Sequence, residues 1–173
     1  MKRTDKKYTT DWEAVYWALL PRIYNFHRYR CGDNQVAQDL TSKTFIRAWR
    51  FRDKYNRDLG AFEAWIFTIA RNVAIDHLRA TKPPTLVLDD LHNLADEYSV
   101  EHETLKRLEF ANLHRQLAQL PAREQEIIAL KFGASMTNRA IAQALDLSES
   151  NVGTILNRTL RMLRQQLESE YGR

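Results

Sequence analysis

The residues best suited to chemistry in this sequence are polar side chains near its C-terminal end, and the chemistry that they suit is hydrogen bonding to DNA. From Leu147 to Arg161, apolar residues recur at the spacing of one buried helix face, and the positions between them are small, hydrogen-bonding or cationic. Such groups contact base edges and phosphates in a major groove. The outward set comprises Glu149, Ser150, Asn151, Gly153, Thr154, Asn157, Arg158 and Arg161.

Two short helices joined by a tight turn must position these side chains, within residues 136–164. Thr137 and Ser148 are suited to cap the two helices, and both fall at the predicted DNA surface. Ala142 is small enough for close helix crossing, and Asp146 tolerates the left-handed backbone of the turn. The pattern predicts a DNA-reading helix-turn-helix. An ordinary helical hairpin with a solvated polar face is the alternative.

A second candidate site is the loop that runs from Tyr55 to Asp58, between two predicted helices. Tyr55, Asn56, Arg57 and Asp58 combine an aromatic ring with polar groups, and Gly60 follows closely. Aromatic and polar side chains held beside rigid helices can grip a base that has left the double helix. We therefore predict a single-strand binding loop at this position.

The helices before this loop supply a third polar surface. Asp11 is suited to cap a first helix, which we expect to bend or break near Pro21. Gly32 and Asp33 end that helix and start a second one. The second helix buries Ala37, Leu40, Phe45, Ala48 and Trp49, whereas Gln38, Asp39, Ser42 and Arg47 remain outside.

A third helix is predicted after the loop, and it carries two different faces. Its core face comprises Phe62, Trp65, Ile66, Ile69 and Val73. Along another face, polar residues recur at spacings of four, four and three, namely Thr68, Asn72, Asp76 and Arg79. A polar stripe of this kind requires a partner or water. For Trp49 and Trp65 we predict plain core packing.

Composition favours an all-α, cytoplasmic protein, and 173 residues are enough for one sizeable core or for two small helical domains. Only 5 Gly and 4 Pro occur among 173 residues, which indicates few turns. The single cysteine, Cys31, cannot form an internal disulfide, and no Cys/His cluster has metal-ligand spacing, so neither a metal nor another cofactor is expected. No apolar run is long enough to span a membrane, so we expect no membrane insertion.

Charge divides the chain into three parts. Residues 1–80 hold 15 Lys/Arg and 9 Asp/Glu, residues 81–105 hold 1 and 6, and residues 106–173 hold 10 and 7. The acidic strip 81–105 opens with a Pro pair and shows no sustained helical period, which predicts a linker between domains 1–80 and 106–173. Its acidity suits either a solvated tether or a segment that occupies a basic nucleic-acid channel.

Three segments in this order resemble bacterial sigma factors of the extracytoplasmic-function (ECF) group, within the sigma-70 family. They read DNQVAQDLTSKTFIRAWRFRDKY, AFEAWIFTIARNVAIDHLRA and LPAREQEIIALKFGASMTNRAIAQALDLSESNVGTILNRTLRMLRQQL. The first two resemble region 2, and the third, with a helix that starts at Pro121, resembles region 4. The resemblance implies a dissociable promoter-specificity subunit of RNA polymerase that melts the minus-ten element through region 2 and reads the minus-thirty-five element through region 4.

The resemblance also implies roles for individual residues. It places contact with the polymerase clamp at Gln38, Asp39, Ser42 and Arg47. It places capture of the minus-ten base on the loop from Tyr55 to Ala64, which includes Phe62, with Arg71, Asn72, Asp76 and Arg79 beside it. It assigns minus-thirty-five base edges to Gly153, Thr154 and Asn157, and a phosphate to Arg158. The implied partners are core RNA polymerase (clamp and flap), promoter DNA and an anti-sigma factor.

The chain departs from the family pattern at five positions. Lys43 stands where an acid is usual, Ala140 where a Glu is common, and Asp146 where the turn usually has Gly. Gly153 and Ile155 replace residues that are frequently basic, which implies weaker or differently specific minus-thirty-five reading. Gly153 also costs about 1 kcal/mol of helix propensity, which makes sense if the backbone there comes close to DNA.

Two other classes of protein remain as alternatives at this stage. A LuxR-type regulator would have the same C-terminal helix-turn-helix, but it would need a ligand pocket or phosphoacceptor in its N-terminal half, and the sequence there offers neither. An enzyme would need a phosphate loop, a nucleophile elbow or metal ligands at motif spacing, and none occurs. We therefore expect a protein without catalytic activity.

Overall fold

A computed structural model describes residues 11–55, 61–81, 110 and 112–171. The candidate residues Asn56, Arg57 and Asp58, and the predicted linker apart from its first residue, lie outside the described residues. The described chain is helical and contains no strand, so the predicted all-α class is confirmed.

Three long helices form the N-terminal half, defined here as residues 11–81. Helix α1 spans Trp12–Cys31, α2 spans Asn34–Arg50 and α3 spans Phe62–Ala80. Carboxylates cap the first two, since Asp11 accepts a hydrogen bond from the Ala14 amide at 3.1 Å and Asp33 one from the Val36 amide at 2.7 Å. Between α1 and α2, Gly32 takes the left-handed conformation with φ 71°.

Of the expected bend or break near Pro21, a break does not occur, because α1 continues through this residue without interruption. Proline removes one amide donor, which leaves the carbonyl of Trp17 without its usual helical partner. Pro21 and Trp17 are both exposed, and the Trp17 side chain is 64% exposed. Water can reach this side of the helix, which explains why the missing bond does not end α1.

Shorter helices and one long helix form the C-terminal half, defined here as residues 110–171. Helix α4 covers 112–118, α5 spans Ala122–Ile128, and a π-helical turn follows at Ala129–Gly133. Helices α6 (Asn138–Leu145) and α7 (Glu149–Tyr171) complete it. Among the helices of the described ranges, none is sufficiently long and apolar to cross a bilayer.

The two halves pack directly against each other and share one hydrophobic core. Helix α1 lies on the π-helical turn, where a Cβ atom on Gly133 would come within 2.9 Å of the Asn25 carbonyl oxygen. Only glycine permits so close an approach of two backbones. The core joins apolar side chains from both halves, including Leu19, Ile23, Phe26, Phe67, Ile127, Leu130, Ile141 and Val152.

Polar side chains of the N-terminal half extend this contact. Arg22 donates from Nε to the Ala134 carbonyl at 2.8 Å, and Arg30 donates to the Ala122 carbonyl at 3.2 Å. Arg30 is only 7% exposed, and burial lowers the pKa of its guanidinium below the ordinary value. The N-terminal and C-terminal halves are therefore packed together in the free chain.

The prediction that Trp49 belongs to the core is wrong, because its side chain is 52% exposed. It lies on the outer side of α2, where the Trp12 ring meets it edge-on at 5.4 Å and the Arg52 guanidinium lies 4.3 Å from its ring centroid. Trp65 is half-buried against the core, as predicted. Phe67 is fully buried on α3, although the sequence pattern did not place it in the core.

Candidate nucleic-acid and polymerase interfaces

The C-terminal helix-turn-helix has the local geometry that its sequence predicted. The Thr137 hydroxyl accepts a hydrogen bond from the Ala140 amide at 3.2 Å, and the Ser148 hydroxyl accepts one from the Asn151 amide at 3.1 Å. Asp146 adopts the left-handed conformation with φ 54°. The two capping bonds fix where α6 and α7 begin, and the left-handed Asp146 ends α6. The orientation of the α7 outer face is therefore determined locally.

The outer face of α7 is exposed along its first four turns. The exposed members are Glu149, Ser150, Asn151, Thr154, Asn157, Arg158 and Arg161. Gly153 is half-buried, and a Cβ there would meet nothing nearer than the Asn138 amide nitrogen at 3.9 Å. No packing within the described protein therefore requires glycine at this position, which leaves contact with a ligand as a reason for it.

A carboxylate that the sequence reading missed holds α7 against α5. Glu124 accepts from Arg158 Nη2 at 2.5 Å and from the Thr159 hydroxyl at 3.1 Å, and Thr159 is fully buried. The Glu124 side chain is 13% exposed, whereas that of Arg158 is 68% exposed. Glu124 thus orients one side of the guanidinium while the rest of it faces solvent. Its place in the first turn of α5 gave no sign of its distant partners.

The polar stripe on α3 is exposed at Thr68, Asn72, Asp76 and Arg79, as predicted. Asp76 accepts a hydrogen bond from Arg47 Nη1 of α2 at 3.0 Å, in an ion pair whose side chains are 57% and 45% exposed. Since Arg47 belongs to the predicted polymerase surface, this ion pair connects that surface to the predicted minus-ten stripe. Exposed ion pairs of this kind stabilise a protein by no more than about 1 kcal/mol.

Aromatic side chains form a cluster where the predicted base-capture loop leaves and rejoins the helices. Phe62 lies 4.9 Å from Tyr55, 5.3 Å from Trp65 and 5.2 Å from Trp12, measured between ring centroids. The contact between Tyr55 and Phe62 joins the two flanks of the loop. Its aromatic faces are of the kind on which unpaired bases stack.

Arg71 differs from the other predicted minus-ten residues, because it lies between the two halves. Its Nε donates to Glu126 Oε1 at 2.8 Å, and its Nη1 donates to the Ala144 carbonyl at 2.6 Å. The two charged side chains are 19% and 13% exposed. Its neighbour Asn72, by contrast, is exposed on the stripe.

The predicted polymerase surface is the exposed side of α2. Gln38, Asp39, Ser42 and Arg47 are all exposed, and the opposite side of the helix is buried. Asp39 accepts from Lys43 Nζ at 2.5 Å, one turn along the helix. Beside this surface, α1 and α2 leave an open furrow of about 400 Å³, whose lining includes Gln38 and Ser42.

Buried titratable groups in the N-terminal half serve the fold. His27 is fully buried, with Nε2 at 3.0 Å from the Thr44 hydroxyl, and burial lowers its pKa to about 3. Burial likewise raises the pKa of the Cys31 thiol to about 11, which keeps it protonated. No group of three or more His, Cys, Asp or Glu residues in the described ranges is placed to hold a metal ion.

Sequence comparison finds two family matches in the order of these surfaces. Residues 15–83 match Sigma-70 region 2, and residues 116–165 match Sigma-70, region 4. The chain is 30% identical over 152 residues to the ECF RNA polymerase sigma factor BldN of Streptomyces coelicolor, covering 86% of this chain and 57% of that relative. It is 26% identical to the ECF RNA polymerase sigma factor SigM of Bacillus subtilis, covering 93% and 95%.

A solved structure shares the fold. The sigma factor RpoE, crystallised with the anti-sigma factor NepR from Bartonella quintana, aligns with a TM-score of 0.67 at 20% identity, covering 91% of this chain and 97% of that one. The helical architecture, with both halves aligned in one superposition, is therefore found in a known protein.

Proposed function

The chain belongs to the ECF RNA polymerase sigma factors of the sigma-70 family, and from that premise we propose how its surfaces divide the work of promoter-specific transcription initiation. Region 2 of such a protein provides the polymerase and minus-ten contacts, and region 4 provides the minus-thirty-five contacts. The LuxR-type alternative loses its support, because the N-terminal half matches Sigma-70 region 2 and not a sensor module.

In this proposal the exposed side of α2, with Gln38, Asp39, Ser42 and Arg47, binds the clamp of core polymerase. The loop from Tyr55 to Ala64, which includes Phe62, captures the unpaired minus-ten strand, and the α3 residues beside it assist, namely Arg71, Asn72, Asp76 and Arg79. The α7 outer face reads minus thirty-five, with Thr154 and Asn157 on base edges and Arg158 on phosphate. The chain itself catalyses nothing, and the polymerase performs the chemistry.

One observation carries the proposal. The residues expected to contact polymerase, the minus-ten strand and minus thirty-five lie on the exposed sides of α2, α3 and α7, inside the segments that match Sigma-70 region 2 and region 4. Water alone accounts for polar residues on exposed helix faces. The position of the three faces within the two matched regions is what supports the proposal.

Initiation in vitro tests the function directly. Core polymerase reconstituted with the purified chain is expected to start transcripts at discrete promoters, and sequencing of their 5′ ends identifies the shared minus-ten and minus-thirty-five sequences. Core polymerase alone is the control. If the chain adds no start sites, the proposed function is wrong.

Two substitutions separate the nucleic-acid surfaces. Asn157→Ala is expected to weaken recruitment to duplex promoters and to relax one minus-thirty-five position, because a good base contact contributes about 1–3 kcal/mol of discrimination. It should leave binding to a template whose minus-ten strand is already single unchanged. Asn56→Ala should reduce binding to both templates, since base capture is needed in each. Identical behaviour of the two variants on the two templates would contradict the assignment.

We further propose an anti-sigma partner and a cytoplasmic location. The structural relative RpoE was solved with the anti-sigma factor NepR, which is a protein of this partner class. Core polymerase and promoter DNA, the other proposed partners, are found in the bacterial cytoplasm, so the chain must act there.

A further inference from the structure

Arg71 is held by two acceptors that both belong to the other half of the molecule. Its Nε bonds to the Glu126 carboxylate on α5, and its Nη1 bonds to the Ala144 carbonyl in the last turn of α6. The carbonyls at a helix C-terminus carry a partial negative charge, so a cation there is favourably placed. The interdomain ion pair, defined as Arg71 with Glu126, is thus supported by a second electrostatic contact.

The interdomain ion pair is less exposed than the ion pairs described within the N-terminal half, of which Arg22 with Glu63 is the least exposed, at 27% and 47%. The side chains of the interdomain ion pair are 19% and 13% exposed, against 45% and 57% for Arg47 with Asp76. Weak solvent screening makes such a pair costly to break from one side, because the remaining charge loses its partner in a partly buried site. Loss of either charge therefore disfavours the packed arrangement, whereas both groups would be hydrated if the halves separated.

The position of Arg71 on α3 connects this contact to nucleic-acid binding. Asn72 follows it on the exposed stripe, and Asp76 and Arg79 continue that stripe towards the end of the helix. A guanidinium has five N–H donors in one plane. While Nε and Nη1 point into the C-terminal half, Arg71 cannot present its bidentate edge to DNA.

The packed arrangement is also too short to read both promoter elements. Their names place them about 25 base pairs apart, or about 85 Å at about 3.4 Å per pair. The longest helix of the described ranges, α7 with 23 residues, is about 35 Å long at about 1.5 Å per residue. The two halves share a core in this arrangement, so they must separate before each can occupy its own element.

We propose that Arg71 exchanges partners during initiation: it closes the free chain through Glu126 and Ala144, and it is released to the minus-ten strand when core polymerase separates the two halves. The DNA part of this exchange rests on the proposed function. Glu126 then acts only in the closed chain and contacts neither polymerase nor DNA. The interdomain ion pair makes promoter binding by the free chain weaker than binding by the same surfaces on the polymerase.

The affinity for core polymerase reports what fraction of the free chain is in the closed, packed state. If polymerase binds the separated form, the apparent dissociation constant equals the intrinsic one divided by the separated fraction. Glu126→Gln keeps the side-chain shape but removes the charge, and we expect it to bind core polymerase about tenfold more tightly. Glu168→Gln, which makes the same charge change at an exposed position of α7, is the control and should leave this affinity unchanged.

Arg71→Ala provides the second arm. It should raise the affinity for core polymerase by at least the same factor, because it removes the bond to Ala144 as well as the ion pair. The double variant should show no increase beyond that of Arg71→Ala, because the ion pair is already absent there. Unchanged affinity in Glu126→Gln, or independent effects that add in the double variant, would overturn the exchange. Should Arg71→Ala fail to fold, Arg71→Lys replaces it, since lysine cannot make both bonds from one planar group.

Binding of the assembled holoenzyme to a pre-melted promoter distinguishes the role of Arg71 in the closed chain from its role at the minus-ten strand. Arg71→Ala should bind this template more weakly, whereas Glu126→Gln should bind it as the unmodified protein does. If Arg71→Ala shows tighter polymerase binding and no template defect, the closed state stands and the minus-ten role of Arg71 fails. If both variants show the template defect, Glu126 acts beyond the closed state and the exchange is wrong.

Discussion

Substitution of Gly133 by alanine tests the packing of the two halves more directly than any charged residue does. The added Cβ would lie 2.9 Å from the Asn25 carbonyl oxygen and 3.0 Å from Phe26 Cα. Both are backbone atoms of α1, so no side chain can rotate away to relieve the overlap. The halves must move apart by roughly half an ångström or more to restore ordinary contact, in a core that is otherwise close-packed.

The expected loss follows from two opposing contributions. Overpacking of this kind costs about 1–3 kcal/mol. Alanine in place of glycine returns about 0.4–1 kcal/mol by restricting the unfolded chain, since Gly133 does not have a positive φ. We therefore expect Gly133→Ala to lower the free energy of unfolding by about 1–2 kcal/mol, and Tm by about 2–8 °C for a chain of this size.

Urea and thermal unfolding followed by circular dichroism measure this loss, with Gly153→Ala as the matched control. The control adds the same methyl group in open space on α7, so it should increase stability by about 0.5–1 kcal/mol through helix propensity. Equal stabilisation by the two substitutions would refute the reasoning, because it would mean that α1 does not lie against Gly133 in solution.

Three further substitutions have defined outcomes. Burial lowers the pKa of His27 to about 3, so the folded protein keeps this side chain neutral while the unfolded chain takes up a proton below about pH 6.5. The free energy of unfolding should therefore fall by about 2 kcal/mol between pH 7 and pH 5. In urea titrations at the two pH values, His27→Gln should remove most of this dependence. Glu124→Ala should lower the free energy of unfolding by about 1–3 kcal/mol, since it leaves the buried Thr159 hydroxyl without its carboxylate. It should also weaken minus-thirty-five recruitment in a duplex promoter-binding assay. An unchanged Tm would contradict the role of Glu124 in holding α7 against α5. Asp39→Ala should reduce polymerase affinity while the helical circular dichroism signal is kept, whereas Lys43→Ala, which breaks the same ion pair, should reduce it less; equal losses would assign the effect to the pair instead of the carboxylate.

The free chain should also bind duplex DNA poorly without polymerase. The C-terminal block carries a surplus of three positive charges and the linker a surplus of five negative charges, so few counterions are released on binding. Electrophoretic mobility shifts with a promoter fragment measure this. Tight binding that resists added salt would contradict the expectation.

Local signals in the sequence were sufficient to predict the helices and their polar faces. The caps at Asp11, Asp33, Thr137 and Ser148 and the left-handed turn at Asp146 were all placed correctly, because each depends on bonds between residues at most five positions apart. Helical periodicity likewise separated the buried and exposed sides of α2, α3 and α7, with Trp49, Phe67 and Gly153 as exceptions.

Tertiary structure alone decided which polar residues are free and which are already paired. Arg71 and Glu126 are 55 positions apart, Arg158 and Glu124 are 34 apart, and Arg47 and Asp76 are 29 apart. A periodic pattern indicates which side of a helix faces the core, but it does not indicate which other helix packs against that side. The burial of Arg71, the exposure of Trp49 and the contact of α1 with Gly133 depend on how whole helices pack, and that packing is set by the summed fit of many side chains and not by any local sequence.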